Sequence, residues 1–237
     1  RGSSSVGSHD ECRMCSSQKG GTTNLSSQTS PSQTDSSGQH LSPQVFTQAD
    51  EQEIMSLDII LGPMFAGKSS RILSIVSRYA SLGMSVLVVT HAEDTRYEND
   101  DEIVTHDKRR IPSVRVQSLN EISHFSIDRA QVILVDEAQF FTGLVPFVHR
   151  IVDQYRKRLY LIGLDGDFQR RPFGELLECI PLADRLERLT AFCHRCADGT
   201  PGLFTHRRKG PTDQQVMVGG SGLYESLCRR CYLEVVQ

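Results

Sequence analysis

The sequence predicts an α/β fold: a mostly parallel sheet with interleaved helices and a second, smaller unit at the C-terminal end. Three observations carry that expectation. Short apolar runs alternate with helical stretches from residue 54 onward, as when strands are joined by helical crossovers. A glycine-bearing turn, Gly62-Pro-Met-Phe-Ala-Gly-Lys-Ser69, lies between the first such run and the first helix. Two Cys-x-x-Cys pairs, Cys193/Cys196 and Cys228/Cys231, stand 31 residues apart near the end of the chain.

Residues 1–53 are dominated by Ser, Gln, Thr and Gly and show no apolar period. Such a segment buries too little surface to offset its ordering entropy, so a disordered tail is expected. Its Cys12/Cys15 pair is half a zinc site, with His9 the only further ligand nearby. It reads as chance or as a flexible redox pair. The predicted division is a tail over 1–53, an α/β domain over 54–191 and a metal-binding subdomain over 192–237. A formal net charge of −3 over 237 residues implies no broad basic surface, so direct nucleic-acid binding is not expected. No apolar run is long enough to span a membrane and no signal peptide is apparent, so a cytoplasmic protein is the default expectation.

Within 54–191 the elements follow in order. Leu57-Asp-Ile-Ile-Leu61 reads as a strand, and Ser70 to Ser81 as a helix. The turn between them has the order and residues of a phosphate-binding loop: its backbone N–H groups cradle phosphate oxygens at a helix N-terminus. Lys68 reaches the outer phosphates, and the Ser69 hydroxyl holds Mg2+. Gly62, Pro63, Met64, Phe65, Ala66, Gly67, Lys68 and Ser69 are therefore candidate triphosphate contacts. Ser85 to Thr90 is β-branched and apolar on both faces, as a buried parallel strand should be. Val114 to Val116 is a further short strand, and Asn120 to Phe125 a helical turn. Val132-Ile-Leu-Val135 is a strand ending in Asp136-Glu137. Leu144 to Arg156 reads as an amphipathic helix and Leu159 to Leu164 as another buried strand. Ligands of such folds sit at the carboxyl ends of the strands, where the glycine turn, Asp94, Asp136, Glu137 and Asp165 all fall.

The acidic pair divides into two roles. Asp136 is placed to bind Mg2+ opposite Ser69, and Glu137 is a candidate general base for a hydroxyl aimed at the γ-phosphate. Asp-Glu-Ala-Gln also suits an ATPase in which the Glu activates water, so the motif alone does not separate the two chemistries. The four C-terminal cysteines form two knuckles of one tetrahedral thiolate site, which favours structural Zn2+. The Gly- and Pro-bearing stretch Ala197 to Leu227 is then a long loop held at its base, a candidate substrate clamp. Cys179, in Leu176-Leu-Glu-Cys-Ile180, reads as a small apolar filler.

From about residue 56 to 232 the chain resembles the type II, zinc-containing cytosolic thymidine kinases. The resemblance rests on the Gly62–Ser69 loop, Asp94-Thr-Arg-Tyr97, Asp136-Glu-Ala-Gln-Phe-Phe141 and Leu164-Asp-Gly-Asp-Phe-Gln-Arg-Arg-Pro-Phe-Gly174. The cysteine pairs complete it, with Val218-Gly-Gly-Ser-Gly-Leu-Tyr224 between them. It implies ATP- and Mg2+-dependent phosphorylation of the thymidine 5′-hydroxyl to thymidine monophosphate, with deoxyuridine as a second substrate. It further implies a homotetramer and feedback inhibition by thymidine triphosphate. Glu137 would be the base. Thymine would lie under a "lasso" loop from the zinc subdomain, held mostly by backbone of Gln215, Val216, Met217, Val218 and Gly219. Side chains of Met64, Phe140, Leu164, Phe168, Phe173, Thr205 and Tyr224 would surround base and sugar, with Asp94 and Arg96 near the sugar and phosphates. Asp167 departs from the pattern, since many relatives carry Thr there, and adds a carboxylate beside the substrate strand. Arg170 and Arg171 are either solvated charges or helpers of the transferred phosphate. Two readings from other classes remain: a nucleic-acid-dependent ATPase, and a nucleotide-sensing module without turnover.

Overall fold

The computed structural model describes residues 55–93, 102–104, 110–210, 214–217 and 222–236, with backbone alone at 102–104, 110 and 111. The predicted tail with Cys12 and Cys15 lies outside the described residues, as do Asp94, Arg96, Val218 and Gly219.

The apolar runs become strands β1 (Ser56–Leu61), β2 (Val86–His91), β5 (Val114–Val116), β6 (Val132–Val135) and β7 (Arg158–Gly163). With β8 (Arg185–Arg188) they form one six-stranded sheet of order β5-β2-β6-β7-β1-β8, in which every neighbouring pair is parallel. A small antiparallel pair, β3 (Glu102–Val104) with β4 (Arg110–Pro112), lies in the connection between β2 and β5. Helix α1 (Lys68–Ser81) follows the glycine turn, α2 (His124–Arg129) precedes β6, and α3 (Leu144–Val148) follows it and runs on as a π-helix over His149–Gln154.

The period-2 geometry of strands explains why the runs are apolar throughout. Leu57, Ile59, Leu61, Ile133, Val135, Leu159 and Leu161 face one core, together with Ile127 of α2, Leu144 and Phe147 of α3 and Ile151 of the π-helix. Ile60, Val132, Leu134 and Ile162 face the other, against Ile72 and Ile75 of α1. Both faces are covered, so a polar side chain in the middle of the sheet is cut off from water and costs stability unless it is bonded; Thr90 of β2 is buried there with its hydroxyl unbonded among the described residues.

Three details differ from the sequence reading. Asn120 to Phe125 is not one turn: a 3-10 segment, Leu119–Glu121, is capped by Ser118, and α2 then starts afresh because the Ser123 hydroxyl accepts the Ser126 N–H. The helix expected over Leu144 to Arg156 widens to π geometry at His149 and ends at Gln154. Strand β8 went unread because Arg-Leu-Glu-Arg at a half-exposed edge has no apolar run to announce it.

The C-terminal unit pairs β9 (Ala191–Phe192) with β10 (Pro201–Gly202) and β11 (Phe204–Arg207) with β12 (Tyr224–Leu227), followed by α4 (Arg229–Val236). Its small core is Cys193, Leu227, Cys228, Cys231 and Tyr232. Among the described residues no helix is long and apolar enough to cross a membrane.

Candidate active site

The carboxyl ends of β1, β6 and β7 converge on one region. β7 separates β1 from β6, so at about 4.8 Å per strand the two ends stand roughly 10 Å apart. That gap suits a phosphate chain with the glycine turn on one side and the acidic pair on the other.

On the β1 side, the turn enters α1 through Gly67, whose φ of 83° belongs to the left-handed region that glycine tolerates. Lys68 is buried, and its ammonium donates to the carbonyls of Gly62 (3.1 Å) and Pro63 (2.9 Å) within its own loop. The cation is thus held at the mouth of the loop, where an incoming phosphate can replace those carbonyls. Ser69 is half-buried in the first turn of α1, and Phe65 is half exposed at a φ of 65°.

On the β6 side, Asp136 is 3 % exposed and its Oδ1 accepts the Glu137 N–H at 2.8 Å. Glu137 is also buried and adopts φ 50°, a left-handed conformation uncommon for a residue with a side chain. This turns it away from Asp136 and opens a 3-10 turn over Ala138–Phe140. The strain is held in place by Gln139. Its Nε2 donates to Glu137 Oε2 (2.5 Å), and its Oε1 accepts the N–H of Leu164 at the end of β7 (3.0 Å). Gln139 is 2 % exposed and closely walled. A Cβ on Gly163 would run into Gln139 Oε1, and one on Gly174 into the Gln139 carbonyl. Both glycines are therefore required by the space the glutamine occupies.

Aromatic side chains line the adjoining wall. Phe140 meets Phe173 edge-on at 5.4 Å and lies 5.7 Å from the His91 ring. Phe168 and Phe173 are both buried, and Leu164 is half-buried beside them. The two arginines left open by the sequence have structural partners. Arg170 stacks over Tyr232 at 4.5 Å, and the Arg171 Nε bonds to Asp167 Oδ2 at 2.9 Å. Asp165 pairs with Arg188 of β8 at 2.8 Å. Cys179 lies wholly inside the core, and burial pushes its thiol up to about 11.

The C-terminal unit grips the glycine turn directly. The Met64 N–H donates to Thr205 Oγ1 of β11 at 3.0 Å, and the Met64 carbonyl accepts from Ser226 Oγ of β12 at 2.5 Å. Thr205 is thus bound to the loop backbone, and Met64 sits between phosphate side and C-terminal side. Tyr224 is buried and its hydroxyl donates to the Met217 carbonyl at 2.7 Å. Gln215 and Met217 are half-buried and Val216 is exposed.

Cys193, Cys196, Cys228 and Cys231 bring their sulfurs within 4.8 Å of one another. Cys196 Sγ lies 3.8 Å from Cys228 Sγ and 3.6 Å from Cys231 Sγ. Tetrahedral zinc with Zn–S bonds of about 2.3 Å requires S···S separations near ~3.8 Å, so the cluster fits that ion. Burial alone would raise the Cys193 thiol, but hydrogen bonds from the backbone of Cys228, Cys196 and Arg195 bring it down to about 6. That favours a thiolate, the form a metal binds.

A family model described as thymidine kinase matches residues 55–232 of this chain. The chain belongs to the thymidine kinase family. A thymidine kinase of Myxoma virus (strain Uriarra) is 39% identical over 176 residues, covering 74% of this chain and 95% of the viral protein. Thymidine kinase a of Arabidopsis thaliana is 37% identical over 182 residues, 75% of each chain. The thymidine kinase of Monkeypox virus is 34% identical over 178 residues, 75% of this chain and 97% of its own. Among solved structures, domain III of the Thermotoga maritima replication initiation protein DnaA aligns over 59% of this chain and 56% of that chain. Its TM-score is 0.35 and its identity 12%, a likeness too loose to carry an argument.

Within this thymidine kinase fold, three side chains at the site escaped the sequence reading. Gln139 was visible only as part of Asp-Glu-Ala-Gln, and Arg207 and Ser226 lay in the stretch Ala197 to Leu227 expected as a long loop, which instead carries β10, β11 and β12. The one available signal was Gln139, an uncharged amide two residues after Glu137.

Proposed function

We propose that this thymidine kinase transfers the γ-phosphoryl group of ATP to the 5′-hydroxyl of thymidine, giving thymidine monophosphate and ADP, with deoxyuridine as a second substrate. The observation that carries the proposal is Glu137: a buried carboxylate, turned by a left-handed backbone and fixed by Gln139, at the strand end facing the glycine turn. A carboxylate so held suits proton removal from a bound hydroxyl better than a solvated surface role. Glu137 accepts the 5′-OH proton as the oxygen bonds to Pγ, and the bond from Pγ to the β,γ-bridging oxygen breaks, releasing ADP. Lys68 leaves its loop carbonyls to neutralise charge on the moving phosphoryl group, and the loop from Gly62 to Ser69 cradles the triphosphate. Ser69 and Asp136 offer the oxygen donors that Mg2+ prefers. The ion, when bound with ATP, supplies charge neutralisation at the phosphate oxygens.

The nucleoside fits between the Phe140, Phe168 and Phe173 wall, Leu164, Met64 and the segment Gln215–Met217. Thr205 and Tyr224 support it through Met64 and Met217 respectively. The four cysteines hold Zn2+ as a structural ion and thereby anchor the hairpin that carries Thr205 and Ser226. The family resemblance extends this to a cytoplasmic homotetramer inhibited by thymidine triphosphate, with residues 54–191 as kinase domain and 192–237 as zinc subdomain.

Replacement of Glu137 by Gln tests the central assignment. Turnover should fall by roughly 100- to 10,000-fold, the usual contribution of a general base, while thymidine still binds. A variant with near-normal kcat would remove Glu137 from the base role.

A further inference from the structure

Asp167 is almost completely enclosed, its side chain 1% exposed, yet it holds no position in the chemistry above. It organises the turn after β7. Its N–H donates to the Arg171 carbonyl, and its own carbonyl accepts the Arg170 N–H, both at 2.9 Å. Oδ1 accepts the N–H groups of Gln169 and Arg171 at 2.9 Å each, and Oδ2 accepts Arg171 Nε at 2.9 Å. One contact leaves the turn altogether: Gln215 Nε2 donates to Asp167 Oδ2 at 2.9 Å, across 48 residues, and reaches the Pro172 carbonyl at 3.3 Å.

The rest of the 214–217 segment is tied from the other side. Arg207 Nη1 donates to the Gln214 carbonyl (2.6 Å) and Nη2 to the Gln215 carbonyl (2.8 Å). The Arg207 guanidinium lies 3.8 Å above the centre of the Phe168 ring, the residue next to Asp167. Two neighbours in sequence, Asp167 and Phe168, therefore each hold the same segment, one through a side-chain amide and the other through a stacked guanidinium.

We propose that Asp167 is a positioning residue for the nucleoside site: its carboxylate fixes the Gln215 side chain, and through it sets the 214–217 backbone where it can meet the base. The proposal rests on the reading that this segment contacts the nucleoside. Gln215 is held at two points, its side chain by Asp167 and its carbonyl by Arg207, and so anchors the segment that meets the ligand. A rigid turn is the right partner, because five donors and acceptors already fix the Asp167 position before the segment docks. Holding the segment in its binding geometry raises the competent fraction of the free enzyme, and affinity scales with that fraction. Chemistry at Glu137 lies elsewhere and is not touched.

The test uses the full chain with Gln215→Glu, Asp167→Asn, and the two together. Gln215→Glu sets carboxylate against carboxylate. It should raise KM for thymidine by about tenfold or more, the loss expected for a charge-assisted bond, with kcat within about threefold of the parent. Hydrogen exchange in peptides covering 214–217 should quicken. Asp167→Asn combined with Gln215→Glu turns a donor toward the new acceptor, while Arg171 Nε loses its own acceptor at that atom, so KM should recover in part and exchange should slow part of the way back. An unchanged KM in Gln215→Glu, or a fall in kcat alone that the double exchange leaves unrepaired, overturns the positioning role. A separate arm guards the underlying reading: thymidine should protect 214–217 from exchange in the parent enzyme. Protection without a KM effect rejects only the clamp, whereas no protection removes the segment from the nucleoside site and the clamp with it.

Discussion

Gln139→Leu isolates the support of the proposed base from the base itself. Leucine keeps most of the volume, so the walls formed by Gly163 and Gly174 remain satisfied. Two bonds disappear: the one to Glu137 Oε2 and the one from the Leu164 N–H. The first is a hydrogen bond to a charged group, worth about 1.5–3 kcal/mol. If Glu137 must be rebuilt into place at each turnover, that energy is added to the barrier. At 1.36 kcal/mol per decade, kcat should drop by roughly 10- to 150-fold. The Leu164 N–H, left without its acceptor inside the protein, costs a further 1–3 kcal/mol or so of folding stability. Steady-state phosphorylation of thymidine at saturating ATP, beside urea denaturation, separates the two. A stability loss with kcat within threefold of the parent would show that the glutamine merely packs and does not position Glu137.

Other outcomes follow from the same contacts. Stripping metal from the four cysteines, or replacing Cys193 by Ser, should release the hairpin that carries Thr205 and Ser226 and so loosen Met64. KM for ATP should then rise along with KM for thymidine, and one zinc per chain should be found in the active protein by elemental analysis. A stripped chain with unchanged ATP affinity would separate the zinc unit from the phosphate loop. Asp167 also gives a pH dependence. Burial raises its carboxyl, but hydrogen bonds from the Arg171 backbone, the Gln215 amide, the Arg171 side chain and the Gln169 backbone outweigh that and leave it below the usual 3.8. A depressed folded-state value means stability that is present above the unfolded value and lost as pH falls through the folded one. The stability gap between the parent and Asp167→Asn should therefore be constant from pH 7 to about 5 and shrink below about 4. Metal release at low pH is common to both chains and cancels in the difference, and a gap independent of pH would refute the assignment.

Much of this protein was legible because strong local rules coincide in it. Runs such as Val132–Val135 must be buried on both faces, so the sheet had to be covered by helices on each side. The Gly62–Ser69 turn carries its phosphate-loop pattern in consecutive residues, and the cysteine spacing points to a four-thiolate metal site without a fold. The short motifs also placed Asp136 and Glu137 at a strand end. Harder to see was β8, whose charged residues face solvent at the sheet edge and leave no period to read.

What only the tertiary structure decided is how distant residues share the site. Nothing in the sequence joins Met64 to Thr205 and Ser226, since backbone hydrogen bonding leaves no residue-type signature at the loop. Nor does it reveal that Gly163 and Gly174 are small for the sake of Gln139, or that Arg207 lies on Phe168. Asp167 shows the division most clearly. The sequence marks it as an added carboxylate beside the substrate strand. The fold turns that carboxylate inward, because four donors and a buried turn offer it more than the open site does. Local chemistry is written in neighbouring residues. Its positioning depends on side chains brought together from 48 to 162 residues away, and only the folded chain specifies those meetings.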